Sequence, residues 1–366
     1  MLKRVTISTE IQRKAALMRA NWPFVVTFLI AWLTADLMVP MVRRFAYRVG
    51  KVDKPGTRKI HKDPIPRMGG IAICVGCFAS LLGIEYLHPG YFSMLPSEWR
   101  GVILGGAMIF VVGLLDDLFD LKPKVKLAGQ ILAASVAFML GVKIAFISNP
   151  VGGMILFPEW LSFVLTVGWL VAITNTINLI DGLDGLAGGV STIAGITLFM
   201  MALERNQGLS ALVAIALVGA TLGFLRYNFN PAKIFMGDCG SLFLGFMLGS
   251  LSITGAMKVA ATVAVFLPIL ILGIPIFDTT FAIVRRFMAG KPIFQADKGH
   301  LHHRLLNIGL SQRRAVLLIY GFSAFLGGVA LQLVHFSQAK VLIVVSILLI
   351  IWGAIDFKIF LPRRMN

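Results

Sequence analysis

Acidic residues are scarce in this chain. It holds 17 Asp and Glu among 366 residues, against 34 Lys and Arg, and charged residues of all kinds make up 14%. Soluble domains carry about 25% charged residues, and a chain that is 57% hydrophobic with so few charges cannot clothe a water-facing surface. A soluble globular enzyme, a disordered chain and a collagen-like repeat are excluded together. Cysteine is nearly absent too, and three residues cannot form a disulfide framework. Cys74 and Cys77 make a C-x-x-C inside an apolar run, where a redox pair lacks water and partners, so they read as helix packing. The apolar–polar alternation of a transmembrane barrel is missing as well.

What the chain has instead is a succession of apolar runs of spanning length. Residues 1–21 are polar and basic, without the features of a cleavable signal peptide, and form a basic extension suited to an interfacial helix. Eleven transmembrane helices are then expected, near 22–42, 68–88, 100–115, 127–148, 160–180, 185–203, 209–225, 240–257, 259–283, 316–335 and 341–355. The reading is an all-α polytopic integral membrane protein with one transmembrane domain over 22–355 and a basic tail over 356–366. The Gly-rich stretches 101–113 and 240–255 mark close helix–helix approach. The net charge of +17 fits cytoplasmic loops rather than a nucleic-acid surface, since Lys and Arg collect on the inner side of membrane proteins. Alternate inter-helix segments hold 24 of the 34 Lys and Arg, nine of them in 43–67 and seven in 284–315. That places the C-terminus in the cytoplasm and the N-terminus outside.

Polar residues gather on that same cytoplasmic side. Asp116, Asp117 and Asp120 close the third span, with Lys122, Lys124 and Lys126 just beyond. Adjacent carboxylates repel unless a Mg²⁺ ion, a lysine or a shared proton lies between them. Asn175, Asn178, Asp181 and Asp184 recur every third residue, a spacing that keeps neighbours on one helix face and suits a hard cation. Gly182 and Gly185 let the backbone there approach a ligand. Asp238 stands between glycines in Phe235-Met236-Gly237-Asp238-Cys239-Gly240, placed to cap a helix or ligate a metal. His300, His302, His303 and Arg304 fall in a basic loop without the Cys or H-E-x-x-H spacing of a zinc site. The segment 52–70 is rich in Pro, Gly and cations, and draws anions. Asp36, alone inside the first span, calls for a partner on a neighbouring helix. Together these clusters describe a metal-dependent membrane transferase acting on phosphates.

At DDLFD, NTINLIDGLDGLAGG, IFMGDCGS and HLHHRLL the chain resembles the polyprenyl-phosphate N-acetylhexosamine-1-phosphate transferases, in the family's order and over about residues 45–310. The segment VDKPGTRKIHKDPIPRMGG and the H-x-H-H form resemble the branch that uses UDP-GlcNAc more than the one that uses UDP-MurNAc-pentapeptide, with Arg304 where the latter shows a further histidine. The resemblance implies transfer of GlcNAc-1-phosphate from UDP-GlcNAc to undecaprenyl phosphate, releasing UMP. It implies Mg²⁺, with Mn²⁺ as a substitute, a homodimer, and a bacterial cytoplasmic membrane with the site facing inward. By motif it makes Asp116, Asp117 and His302 catalytic, and Asp238 and Asn178 metal ligands. Phe235, Lys62, Asp181 and Asp184 become nucleotide-binding, and Lys126, Asn175, His300, His303 and Arg304 phosphate- and sugar-binding. Asp278 becomes support for the site. Another UDP-N-acetylhexosamine donor stays open. An ion-coupled transporter is the reading from another class; it would place its acids near the membrane midplane between repeats, whereas these lie at helix ends and no repeat is visible.

Overall fold

The computed structural model describes residues 2–53, 64–87, 96–148, 154–255, 266–288 and 301–333. Twelve helices run through them: α1 Leu2–Arg48, α2 Gly70–Leu87, α3 Ser97–Phe119, α4 Pro123–Met139, α5 Glu159–Ile180, α6 Leu186–Glu204, α7 Gly208–Asn228, α8 Asp238–Thr254, α9 Phe266–Ile271, α10 Gly273–Met288, α11 Leu301–Asn307 and α12 Gln312–Leu333. Two small antiparallel hairpins join them. β1 (Val52–Asp53) pairs with β2 (Ile65–Pro66), and β3 (Phe146–Ser148) pairs with β4 (Met154–Leu156).

Seven of the helices are long and apolar enough to cross a membrane: Asn21–Arg48 within α1, then α2, α3, α5, α6, α7 and α12. The protein is therefore polytopic, but the expected eleven spans are not all of one kind. The run 127–148 yields only the 17 residues of α4, about 26 Å of helix against a hydrocarbon core of about 30 Å. The chain then turns at Gly141, whose φ is +106°, and enters the β3–β4 hairpin instead. The run 259–283 is broken into α9 and α10 at Leu272. Pro275 explains the break, because it has no N–H to return to the Ile271 carbonyl and its ring crowds that position. The run 341–355 lies outside the described residues.

The expected span 240–257 forms α8, again 17 residues long, and it is the core of the bundle. Every residue from Cys239 to Thr254 is buried, and α3 and α5 pack along it with α2 and α6 beside them. A helix apolar all round belongs inside a protein rather than against its solvent. Small residues set how closely its neighbours come. A Cβ on Gly70, at the start of α2, would fall 2.0 Å from the Gly240 nitrogen, so the two helix starts touch backbone to backbone. Cys74, Cys77 and Cys239 are free thiols buried in this packing. Asp36 of α1 finds its partner in Arg226 of α7, with Nη1 at 3.0 and 3.2 Å from its two oxygens.

Candidate functional site

The ends of α3, α5, α7 and α8 meet at one end of the bundle, with α11 and the start of α12 beside them, and the site is made where they do. The last turn of α3 supplies Asp116 and Asp117. Both oxygens of Asp117 accept backbone N–H groups at the start of α8, Asp238 N at 2.8 Å and Cys239 N at 3.0 Å. A helix start presents unpaired N–H groups and a partial positive charge, and here a carboxylate from a neighbouring helix satisfies them. Gly237 makes this possible: its φ is +73°, and a Cβ there would lie 2.6 Å from Asp117 Oδ2.

That cap fixes Asp238 beside Asp116, and a lysine lies between them. Lys126 Nζ is 3.1 Å from Asp116 Oδ2 and also pairs with Asp238 Oδ2. The chain reverses over residues 120–122, so α4 brings Lys126 back to the end of α3; the Leu121 N–H, 2.7 Å from Asp116 Oδ1, holds that reversal. Asn178 of α5 reaches the same acid, its Nδ2 2.8 Å from Asp238 Oδ1 and 2.8 Å from Ser241 Oγ. Asp181 follows in the turn between α5 and α6. Burial pushes its carboxyl up to about 7, helped by the charges of Asp238, Asp117 and Asp184. Asp184 instead organises the 229–235 loop, with one oxygen accepting from Asn230 Nδ2 at 2.9 Å and from Ala232 N at 3.0 Å.

Two further segments close the site. Phe235 is tied to β2 through its N–H to the Pro66 carbonyl at 2.8 Å and its own carbonyl to the Gly69 N–H at 2.9 Å. On the opposite side, Asp278 of α10 accepts the Leu301 N–H at 2.7 Å and so caps the helix that carries the histidines. His302 is buried, 2.7 Å from where a Cβ on Gly182 would sit, with its ring centroid 4.3 Å from that of His303. His303 faces the cavity, and the Arg304 guanidinium lies 6.0 Å from the Phe281 ring centre.

The cavity these elements enclose measures about 910 Å³. Seven aspartates line it (Asp53, Asp116, Asp117, Asp120, Asp181, Asp184 and Asp238), out of 17 acidic residues in the whole chain. Asn175 does not join them, because its amide is paired reciprocally with Gln130 of α4, at 2.6 and 3.2 Å, further along α5. Lys62 and His300 lie outside the described residues. The sequence reading missed Asp53, Arg67, Asn228, Asn230 and Gln312, all of which line the cavity. Arg67 had a signal, since it belongs to the 52–70 segment expected to draw anions, but nothing set it apart from the eight other cations of 43–67. Asp53 falls in the same segment but is an acid there, and the other three carried no signal.

Among the described residues no three His, Cys, Asp or Glu side chains converge as a metal cage. The donor set nevertheless fits Mg²⁺. That ion takes oxygen ligands, keeps several waters, and is commonly held by one or two carboxylates together with substrate phosphates. Asp238 offers such a carboxylate, with the Asn178 amide beside it at 2.8 Å and the Lys126 ammonium already paired with it as a cation.

A family model described as glycosyl transferase family 4 matches residues 99–256. Among curated proteins the chain is 44% identical over 310 residues to the probable undecaprenyl-phosphate N-acetylglucosaminyl 1-phosphate transferase of Bacillus subtilis (strain 168), covering 84% of this chain and 85% of that one. It is 38% identical to the decaprenyl-phosphate N-acetylglucosaminephosphotransferase of Mycolicibacterium smegmatis, over 85% and 82% of the two chains. It is 29% identical to the undecaprenyl-phosphate alpha-N-acetylglucosaminyl 1-phosphate transferase of Escherichia coli K12, over 87% and 86%.

Proposed function

The chain belongs to glycosyl transferase family 4, and from that membership and the chemistry of its cavity we infer that it transfers GlcNAc-1-phosphate from UDP-GlcNAc to a polyprenyl phosphate. The observation that carries this reading is the gathering of seven aspartates around one cavity at the end of a membrane bundle, with Lys126 between Asp116 and Asp238. So acidic a cavity suits a substrate that arrives with cations, as a nucleotide diphosphate does. The named relatives carry both undecaprenyl and decaprenyl acceptors; undecaprenyl phosphate is the acceptor proposed here.

An oxygen of the lipid phosphate attacks the β-phosphorus of UDP-GlcNAc. The bond from that phosphorus to the bridging oxygen breaks, and UMP leaves with the electron pair. Asp116, hydrogen-bonded to Lys126, takes any proton remaining on the lipid phosphate and orients it. Lys126 offers an ammonium to the phosphates. Phe235 supplies a stacking face for uracil, with Asp181 and Asp184 on the cavity floor around the nucleotide. His303 faces the sugar–diphosphate, and His302 sets the position of its ring. Asp117 acts by fixing Asp238 in place. Bound Mg²⁺, held by Asp238 and Asn178, would neutralise diphosphate charge and stabilise the leaving phosphate. Direct attack is favoured over an aspartyl-phosphate intermediate, since a positioned lipid phosphate is already a competent nucleophile. The site faces the cytoplasm of a bacterial inner membrane, with the chain assembled as a homodimer.

The test is UMP release by detergent-purified full-length protein given undecaprenyl phosphate, Mg²⁺ and UDP-GlcNAc. We expect UMP that depends on all three and disappears in Asp238→Ala. Folded protein that yields no UMP from UDP-GlcNAc, but does so from another UDP-N-acetylhexosamine, would replace the donor.

A further inference from the structure

Arg67 is the one permanently charged cation among the described residues that line the cavity, facing seven aspartates. It follows β2, and its backbone is fixed on both sides. Its N–H reaches the Lys51 carbonyl at 3.1 Å, and the adjoining Pro66 and Gly69 are hydrogen-bonded to Phe235. The next glycine, Gly70, touches the start of α8 and bonds to the Met236 carbonyl at 2.8 Å. Arg67 is thus held beside the segment that runs from Phe235 to Asp238, along which a nucleotide stacked on Phe235 would extend its diphosphate toward Asp238.

Its side chain is turned by Asp53, whose Oδ1 pairs with Arg67 Nη2. Asp53 is buried while the Arg67 side chain keeps 45% exposure. A guanidinium has five N–H donors in a planar fork, and only Nη2 is engaged by the described residues. The rest of the fork is free for the paired oxygens of a phosphate, for which arginine is well shaped. Lys126, by contrast, has two of its three N–H donors already on carboxylates.

We propose that Arg67 is a substrate-binding residue that clamps the diphosphate of the nucleotide sugar, and that Asp53 is a positioning residue that aims it. The proposal rests on the UDP-sugar reading above and names one group through which that donor is held. A charge-assisted, two-toothed contact of this kind is worth about 10- to 100-fold in affinity.

The experiment is competition by UDP and by uridine against UDP-GlcNAc turnover, together with calorimetric binding of UDP to the full-length protein in detergent with Mg²⁺. In Arg67→Ala the affinity for UDP falls about 10- to 100-fold, while that for uridine, which has no phosphate, stays within about twofold. Arg67→Lys recovers part of the loss, since charge survives but the fork does not. Asp53→Asn moves UDP affinity the same way by less. Unchanged UDP affinity in Arg67→Ala overturns the proposal. So does an equal loss of UDP and uridine, which would make Arg67 a tie that merely holds β2 against Phe235. Wild-type protein that binds no UDP at all would overturn the donor reading underneath, an outcome separable from the other two.

Discussion

Both oxygens of Asp117 are committed to backbone N–H groups at the start of α8, whereas Asp116, one residue away, is bonded to a lysine ammonium. Two neighbouring acids therefore do different work. Asp117→Ala removes the cap and should destabilise the protein by about 2 kcal/mol, seen as a lower thermal midpoint in detergent. Asp116→Asn should leave that midpoint nearly unchanged and abolish UMP release. Equal midpoints for Asp117→Ala and wild type would refute the capping role. The sequence shows that two adjacent carboxylates need something cationic, and leaves open a metal, a lysine or a shared proton. Lys126 is ten residues on, and only the reversal between α3 and α4 reveals it as the answer. Asp181 adds a pH signature. Its carboxyl is raised to about 7, chiefly by burial and then by Asp238, Asp117 and Asp184. An acid whose pKa rises on folding holds its proton more tightly in the folded state, so its cost to stability accrues as pH climbs from about 4 to about 7 and levels off above that. A divalent ion favours the ionised form, so Mg²⁺ binding should release a proton near neutrality and weaken as pH falls from about 8 to 6. Calorimetry in two buffers of different ionisation enthalpy measures this release, and a binding heat that does not change with the buffer at about pH 6–7 would count against it.

At the level of helices, the site depends on backbone contact around α8. Gly70 meets the Gly240 nitrogen at 2.0 Å from its ideal Cβ, and the obstacle is main chain that cannot rotate aside. Gly70→Ala must push α2 away from α8, at a cost of about 1–3 kcal/mol. Because Asp238 opens α8, the displacement also spoils its alignment with Asp116. We expect UMP release to drop at least about tenfold with a lower thermal midpoint. Gly168→Ala, with nothing within 4 Å of the new methyl, is the control and should be silent. Apolar runs made most helices legible, and the glycine-rich stretch 240–255 correctly announced close packing. The runs failed where a helix ends without a polar residue. The run 259–283, almost wholly apolar as far as Phe277, hides the break at Leu272, and 127–148 hides the turn at Gly141. In both, the hydrophobic signal reports burial or lipid contact but not backbone continuity.

Across the whole molecule, charge is sorted by side. The chain's acids are few, yet seven of the 17 surround one cavity, and Arg67 and His303, from the basic segments 43–67 and 284–315, line it as well. Concentrating carboxylates beside cations suits the proposed handling of an anionic substrate with metal, and the excess of Lys and Arg supports the proposed placement of that side in the cytoplasm by the positive-inside rule. The proposed orientation would let a water-soluble nucleotide sugar reach the cavity from the cytoplasm while the lipid acceptor stays in the bilayer. Thiol labelling tests it with little background, because Cys74, Cys77 and Cys239 are all buried. Lys233 lies in the loop before α8, on the cavity side, and Arg205 in the turn between α6 and α7, at the far end. Both are exposed. On intact cells a membrane-impermeant maleimide should modify Arg205→Cys and spare Lys233→Cys, with both labelled once the membrane is opened. Protection of Arg205→Cys and labelling of Lys233→Cys would invert the topology and place the carboxylate cavity outside, where no cytoplasmic nucleotide sugar could reach it.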